Sequence, residues 1–100
     1  MSTVSSREEG EKIASYLVEN KLVACVNITS PIASLYCWEG KVCKEEELML
    51  FMKTRTSLHK VVEESIKELH SYDVPEVISI PITEGSHDYL QWVSLNTRKL

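Results

Sequence analysis

Residues 32–52 read IASLYCWEGKVCKEEELMLFM and decide the fold. Two segments rich in β-branched, aromatic and aliphatic residues, Ile32–Trp38 and Val42–Met52, flank the turn signal Glu39-Gly40-Lys41. A glycine-containing turn between two such segments is typical of a β-hairpin. The sequence therefore predicts a long hairpin in the middle of the chain.

Before the hairpin, the sequence predicts one helix and one strand. Residues 7–20 carry an apolar stripe of helical period, and Ser6 followed by Glu9 resembles a capping box. Leu22–Ile28 is a continuous β-prone segment. Only Thr3 and Val4 remain for a first strand, which is too short, so the start of the chain is predicted to be either truncated or misassigned.

After the hairpin, the pattern predicts helix, strand and helix. Thr56 or Ser57 is expected to cap a second helix that runs to about His70. Val77–Ile82 is predicted to form the last strand, and Ser86 to cap a short terminal helix. The resulting (β)αββαβ order, with an added helix, favours an α+β, ferredoxin-like sandwich over residues 1–100 as a single domain.

The predicted strands are apolar on both faces. Leu48 and Leu50 point one way, and Met49 and Phe51 point the other way. A sheet with one face in water should instead alternate polar and apolar residues. We therefore expect a second subunit to cover the face that the two helices leave open, the alternative being a core formed entirely within one chain.

Composition narrows the class of protein. The net charge is −4, and the 11 Lys and Arg residues are scattered, which argues against binding to nucleic acid. The longest apolar run, Leu48–Met52, is far shorter than the ~20 residues of a membrane span. Three cysteines without a C-x-x-C pair and a start without a signal peptide favour the cytoplasm.

The sequence does not predict an enzyme. Three glycines are too few for a P-loop or a dinucleotide fingerprint. The neighbouring Ser86, His87 and Asp88 cannot form a catalytic triad, which needs side chains that converge from separate segments. An acylphosphatase is disfavoured because no glycine-bearing phosphate loop with a nearby arginine is visible.

Five separated blocks resemble the CutA family of divalent-cation tolerance proteins. The match runs in order from about Glu8 to Trp92, and the blocks are Leu22–Ile28, Tyr36–Val42, Lys53-Thr54, Glu68–Glu76 and Asp88–Trp92. The resemblance implies a ferredoxin-like homotrimer, similar in architecture to PII signalling proteins, with hairpins that pair between subunits. It also implies a role in tolerance of copper and other divalent metals.

The sequence departs from the family pattern near its metal-binding groups. The family histidine, His70 here, is followed by Ser71 where proline is common. Some members carry a first-strand cysteine and a second histidine, and the matching positions here are Ser2 and Leu69. A metal site that uses all of those groups therefore cannot be transferred intact.

The candidate metal ligands are His70 and Cys25. A histidine at a helix end either binds copper or another divalent metal or interacts with the helix carbonyls and dipole. Cys25 is either a buried, inert thiol or approaches His70 of a neighbouring subunit. If the hairpin loop has three residues, Cys37 and Cys43 face each other and could chelate Cu(I). If the loop has two residues, which is the favoured interpretation, the two thiols are out of register.

A second set of residues matches recurring polar and aromatic positions of the family. They either line a cleft between subunits or serve the structure, with Glu47 or Glu76 pairing with Lys53 and the tryptophans as packing anchors. We expect a trimeric metal-binding protein, and alternatively a PII-like scaffold with ligand or partner clefts. The cleft candidates are Trp38, Glu39, Glu47, Lys53, Tyr72, Glu76 and Trp92.

Overall fold

A computed structural model describes residues 1–99. It contains an antiparallel four-stranded sheet and three α-helices. A short 3-10 turn, Thr56–Leu58, precedes the second helix. The elements are β1 Ser2–Val4, α1 Arg7–Glu19, β2 Cys25–Ile28, β3 Ile32–Trp38, β4 Lys41–Lys53, α2 His59–Leu69 and α3 His87–Leu95.

Strand β4 is the central strand of the sheet and pairs with each of the other three strands. Its first half pairs with β3 from Trp38 opposite Lys41 to Ile32 opposite Glu47. Its second half lies between β1 and β2, which gives the strand order β1-β4-β2. The part of the hairpin in which β3 pairs with β4 thus extends beyond β1 and β2, and the molecule is 44 Å long.

The turn of the hairpin has two residues, Glu39 and Gly40, with φ of 51° and 80°. Two successive positive φ angles are the signature of a type I′ turn, whose twist matches that of the strands. Cys37 therefore pairs with Val42, and Cys43 pairs with Tyr36. Because neighbouring residues of a strand point to opposite faces, the two thiols are separated, which confirms the two-residue alternative.

Helices α1 and α2 cover one face of the sheet. Their apolar stripes, which include Ile13 and Leu17 of α1 and Val62 and Ile66 of α2, pack in one core with Leu48 and Leu50 of β4. The other face is open in the single chain, where the Phe51 side chain is 42% exposed. The fully buried core residues include Val4, Ile13, Leu17, Val23, Leu50, Leu58 and Ile66.

The prediction of a strand over Leu22–Ile28 was wrong for its first three residues. The chain leaves α1 through Lys21, whose φ is 55°, and the N–H groups of Leu22 and Val23 both donate to the carbonyl of Leu17. These bonds complete the end of the helix, so that regular pairing as a strand starts only at Cys25.

The prediction of a last strand over Val77–Ile82 was wrong for the single chain. The segment is extended beside β1, but only the Met1–Ile78 pair exchanges backbone hydrogen bonds among the described residues. Strand β1 is three residues long, and its Thr3 carbonyl is bonded to His70 instead. Pro81 has no N–H to donate, so few backbone groups remain that could pair residues 77–82 with β1.

Two of the three predicted helix caps are confirmed. Ser6 accepts a hydrogen bond from the Glu9 N–H at 3.1 Å, and Ser86 accepts one from the Tyr89 N–H at 3.4 Å. The start of α2 differs, because neither Thr56 nor Ser57 caps it.

None of the helices in the described part of the chain combines the length and the apolar composition that crossing a membrane requires.

Candidate functional site

His70 ends α2 and reaches back to the edge of the sheet. Its own N–H donates to the Ile66 carbonyl at 2.8 Å, which closes the helix. Its side chain is fully buried, and Nε2 lies 2.7 Å from the carbonyl oxygen of Thr3. A carbonyl can only accept, so Nε2 carries a hydrogen and donates it. The imidazole thus binds β1 and not the carbonyls of its own helix.

The other ring nitrogen of His70 is also occupied. Nδ1 accepts a hydrogen bond from the Tyr72 N–H at 3.0 Å, so it carries no hydrogen. The ring is therefore a neutral imidazole with its tautomer fixed by two backbone groups. In this arrangement neither nitrogen offers a free lone pair, and a metal ion could use Nδ1 only after displacing the Tyr72 N–H.

Glu9, in the first turn of α1, joins this arrangement. Its Oε2 accepts from the Ser71 N–H at 2.7 Å and lies 3.8 Å from His70 Nδ1. Partial burial by itself would raise the pKa of Glu9, but hydrogen bonds from Ser71 and Ser5 outweigh it and lower the pKa overall. The carboxylate thus holds the chain just after α2 against the start of α1.

Tyr72 connects the same loop to β4. Its hydroxyl donates to Glu47 Oε2 at 2.9 Å, and its ring centroid lies 4.6 Å from that of His70. Glu47 is only 7% exposed. Burial, followed by the hydrogen bond to Glu47, raises the pKa of Tyr72 well above its usual value. The hydroxyl therefore stays protonated and keeps a partner for the buried carboxylate.

These five residues form one connected cluster, which we call the His70 network: Glu9, Glu47, His70, Ser71 and Tyr72. It ties α1, the edge of β1, β4 and the loop after α2 together. The arrangement can position the loop and hold a proton on Tyr72.

The structure places the two candidate metal ligands apart in one chain. Cys25 is opposite Lys53 and lies on the open face of the sheet, whereas the His70 ring is bonded to Thr3 at the edge. Strand β4 separates β1 from β2, and the β4 partners of Thr3 and Cys25, Met49 and Lys53, are four residues apart. Thr3 and Cys25 are therefore separated by on the order of 15 Å. Among residues 1–99, no three His, Cys, Asp or Glu side chains gather to hold a metal ion.

Most cleft candidates are also dispersed in the single chain. Within residues 1–99, Glu47 and Tyr72 are joined by a hydrogen bond, whereas Trp38 and Glu39 are at the hairpin tip and Trp92 is on α3. In the described part of the chain neither Glu47 nor Glu76 forms an ion pair with Lys53. A cleft built from this set therefore needs more than one subunit.

Sequence reasoning did not identify Glu9 and Ser71 as site residues. Glu9 was recognised only as a helix-capping residue, a role that it fills weakly through Ser5 at 3.4 Å. Its bond to Ser71 spans 62 residues of sequence, and no local pattern signals such a contact.

Comparison with known proteins defines the family. A family model described as CutA1 divalent ion tolerance protein matches residues 1–96. The chain is 51% identical over 96 residues to the chloroplastic protein CutA of Arabidopsis thaliana and 45% identical over 95 residues to the divalent-cation tolerance protein CutA of Thermus thermophilus. The chain belongs to the CutA1 divalent ion tolerance protein family.

Solved structures agree with this assignment. The T. thermophilus protein superimposes with a TM-score of 0.95 at 44% identity, covering 97% of this chain and 94% of that one. The Archaeoglobus fulgidus protein, described as the periplasmic divalent cation tolerance protein CutA, gives 0.93 at 41% identity, covering 95% and 92%. Both relatives share the α+β fold along almost the entire chain.

The relatives differ in length. The aligned region covers 92% of the T. thermophilus protein but 53% of the A. thaliana protein. The chain therefore spans about half the length of the plant relative that it matches.

Proposed function

We propose that the protein is a homotrimer that binds divalent metal ions, copper among them, and supports tolerance to them, acting as a binding protein and not as an enzyme. Membership of the CutA1 family is the observation that carries this proposal, since relatives are named for divalent-cation tolerance. Exposed apolar surface supports the assembly, and the positions of Cys25 and His70 bear on the choice of metal ligands.

The trimer is supported by apolar surface that one chain leaves in water. Ile80 is 69% exposed, and Ile78 and Ile82 beside it are also exposed. Phe51 on the open sheet face and Val42 near the hairpin tip add to this surface. Large exposed apolar patches mark association sites. A neighbouring subunit that pairs with residues 77–82 would supply the missing ladder and complete a ferredoxin-like sheet.

Light scattering on reduced protein tests the assembly. Three chains of 11.4 kDa correspond to about 34 kDa, which is the mass we expect at micromolar concentration. A stable species with the mass of one chain at that concentration would refute the trimer. It would not decide whether the protein binds metal, which is tested separately.

The metal proposal requires ligands from more than one subunit. A single chain does not fit a closed site, because its ligand-type side chains are not gathered in residues 1–99 and His70 is already hydrogen-bonded. Cys25 lies on the open face, where another subunit can approach it. Its thiolate and a His70 imidazole released from Tyr72 would suit copper, for which soft sulfur and imidazole are favoured ligands.

Metal titration of the reduced protein tests these ligands. We expect copper to bind the trimer and the variants Cys25→Ser and His70→Gln to bind it at least tenfold more weakly. Cys37→Ser serves as the matched thiol control and should bind as the unchanged protein does. Equal copper binding by all four proteins would exclude Cys25 and His70 as ligands, and far-UV spectra would show whether each variant is folded.

The alternative function is a PII-like scaffold that receives a ligand or partner between its subunits. It is favoured by aromatic side chains that one chain leaves exposed, such as Trp38 and the neighbouring Tyr89 and Trp92, whose ring centroids are 5.7 Å apart. Exposed aromatic residues are enriched at binding surfaces. Thermal-shift screening separates the two: stabilisation by metals alone favours the first function, and stabilisation by organic ligands alone favours the second.

We propose the cytoplasm as the location. The three cysteines are free thiols in the structure, which suits a reducing compartment. Relatives named as chloroplastic and periplasmic show that the family is not restricted to one compartment.

A further inference from the structure

Two atoms of one chain that can bind a metal ion lie side by side at the loop after α2. His70 Nδ1 and Glu9 Oε2 are 3.8 Å apart. Nδ1 accepts a hydrogen bond from the Tyr72 N–H at 3.0 Å, and Oε2 accepts one from the Ser71 N–H at 2.7 Å. The two successive N–H groups of Ser71–Tyr72 thus cover both atoms. We call this two-residue segment the lid.

The chemistry of the two covered atoms suits a divalent metal ion. An imidazole nitrogen and a carboxylate oxygen each bind Zn²⁺ at about 2.0–2.2 Å. Two such atoms on one tetrahedral ion are about 3.3 Å apart, so the observed separation requires a shift of only ~0.5 Å. The pair therefore fits two of the ligand positions of a divalent ion, and the remaining positions are open to water or to a donor from another subunit.

The tautomer of His70 is already the one that a metal ion needs. Nε2 carries the hydrogen and donates it to the Thr3 carbonyl at 2.7 Å, so Nδ1 keeps its lone pair. A histidine that binds a metal commonly donates its other ring hydrogen to a carbonyl or carboxylate, which fixes the orientation of the ring. The Thr3 carbonyl fills this role, and no proton has to leave Nδ1 before an ion binds there.

The lid belongs to a loop that can move without unfolding a helix or a strand. Residues 71–74 form bends, and Ser71 is exposed. The lid is held by its bonds to Glu9 and His70 and by the bond from the Tyr72 hydroxyl to Glu47. Segments that few contacts hold open at a low cost in free energy. Two of these bonds end on the covered atoms, so a metal ion in that place would offset their loss.

A hollow leads from the solvent to the Glu9 carboxylate. Its volume is about 380 Å³, which leaves room for an ion and several waters of about 30 Å³ each. Its lining includes Glu8, Glu9, Lys12, Leu69 and Ser71. Two carboxylates and one ammonium group make the hollow negative, which favours the entry of cations. In the described part of the chain neither residues 77–82 nor Phe51 line it, so it lies outside the surface that the proposed trimer buries.

We propose that Glu9 and His70 of one chain are ligands of the same divalent metal ion, and that the lid has to leave both atoms before the ion binds. The 3.8 Å separation under one shared cover carries the proposal, because displacing a single segment frees both ligands at once. The inference rests on the proposed function, since it takes His70 as a metal ligand, and it adds Glu9 and the lid to that site.

Calorimetric titration of Zn²⁺ into the assembled, reduced protein tests the new ligand. Zn²⁺ is the probe because it has no redox chemistry that would oxidise the three thiols. Glu9→Gln keeps an oxygen that can accept from the Ser71 N–H but removes the carboxylate, so we expect it to bind Zn²⁺ at least tenfold more weakly. Glu8→Gln removes the same charge from the hollow and should weaken binding by less than about threefold.

The titration separates this inference from the proposed function. Zn²⁺ binding that is equally tight in Glu9→Gln and in the unchanged protein would overturn the role of Glu9 and leave metal binding by the protein standing. If the unchanged protein binds no Zn²⁺, both proposals are refuted. Far-UV spectra and the assembly mass show whether each variant is folded.

Two substitutions of Ser71 test the lid. Proline has no N–H, so Ser71→Pro removes the donor that covers Glu9 Oε2. His70, with φ of −81° and ψ of 143°, already has the backbone conformation that a following proline requires. We expect Ser71→Pro to bind Zn²⁺ about tenfold more tightly, because one competing hydrogen bond to a charged group is lost. Ser71→Ala keeps the N–H and should bind as the unchanged protein does. Binding by Ser71→Pro that is no tighter would refute the lid.

Hydrogen exchange gives a second readout that needs no variant. The N–H groups of Ser71 and Tyr72 lose their acceptors when an ion binds Glu9 and His70, so they should exchange faster in protein saturated with Zn²⁺. The N–H of His70, which donates to the Ile66 carbonyl, is the internal control and should exchange at the same rate. Unchanged or slower exchange of the two lid N–H groups would show that the lid stays closed and would overturn the proposal.

Discussion

The hydroxyl of Tyr72 donates to a carboxylate that is almost completely buried, that of Glu47. Replacing Tyr72→Phe leaves Glu47 without this donor at the same packing volume. A buried polar group that loses its partner costs about 1–3 kcal/mol, so we expect a decrease of that size in the free energy of unfolding. Urea unfolding at fixed protein concentration measures it. Tyr16→Phe, on an exposed face of α1, is the control and should change stability by less than about 0.5 kcal/mol.

Glu9 makes stability depend on pH. Its pKa in the folded chain is below the usual value of 4.5, so its ionised form stabilises the fold at and above that pH. This contribution is lost as the pH falls through the lowered folded-state pKa. We expect Glu9→Gln to be less stable than the unchanged protein at pH 7, with the difference shrinking toward pH 3.

Unfolding curves at both pH values would show this. Glu8→Gln, one residue away and exposed, is the charge-matched control and should show a smaller difference at pH 7. A deficit of Glu9→Gln that is the same at pH 7 and pH 3 would contradict the assigned role of its carboxylate.

At the scale of single residues, sequence reasoning located His70 but not its surroundings. Its position at the end of α2 follows from the helical pattern and the break after it. Its bonds to Thr3 and Tyr72, and the approach of Glu9, depend on how α1, α2 and β1 pack. Those contacts are set by tertiary structure, so a local pattern could indicate only the residue and not its bonding state.

The hairpin turn is the element whose geometry depends most on one glycine. Gly40 has φ of 80°, and a Cβ there would meet no atom within 4 Å. The cost of Gly40→Ala is therefore purely conformational, about 1–2 kcal/mol for an L-residue in the left-handed region. Gly40→Asn should recover much of this loss, because asparagine tolerates that region. Thermal unfolding compares the three proteins, and equal midpoints for Ala and Gly would show that the turn does not need the positive φ.

At the scale of elements, the sequence predicts helices better than strands. The helices were located because periodicity is a local signal, to which serine caps add at α1 and α3, and the hairpin was located because Glu39-Gly40 marks its turn. The strand over Leu22–Ile28 began late because Leu22 and Val23 complete the end of α1. Residues 77–82 form no ladder in one chain because the edge of β1 is short and His70 occupies its Thr3 carbonyl.

The exposed segment 77–82 provides a prediction for the whole assembly. Ile80→Glu places a charge on a side chain that is exposed in one chain but covered in the proposed trimer. We expect the mass in light scattering to shift from about 34 kDa toward 11.4 kDa, because a buried, unpaired carboxylate is costly. Val18→Glu, on the exposed side of α1, is the control and should leave the mass unchanged. A trimer that survives Ile80→Glu would show that this segment lies outside the interface.

The distribution of charge over the surface of the molecule could be predicted only in part from the sequence. Counting Lys and Arg along the chain suggested an even scatter. Folding brings Lys53, Arg55 and Lys60 together at the surface between the beginning of α2 and residues 77–82. The three side chains do lie within eight residues of one another, and this local cluster is the signal that was available.

The register of the β3–β4 ribbon has a consequence for handling the protein in air. Cys37 and Cys43 project from opposite sides of the ribbon, so oxidation cannot close a ring within one hairpin. Each sulfur can form a disulfide only with a sulfur beyond its own ribbon. Samples kept without reductant should therefore give a ladder of covalent multimers on non-reducing gels, and Cys37→Ser should shorten it because Cys37 is the more exposed of the two thiols.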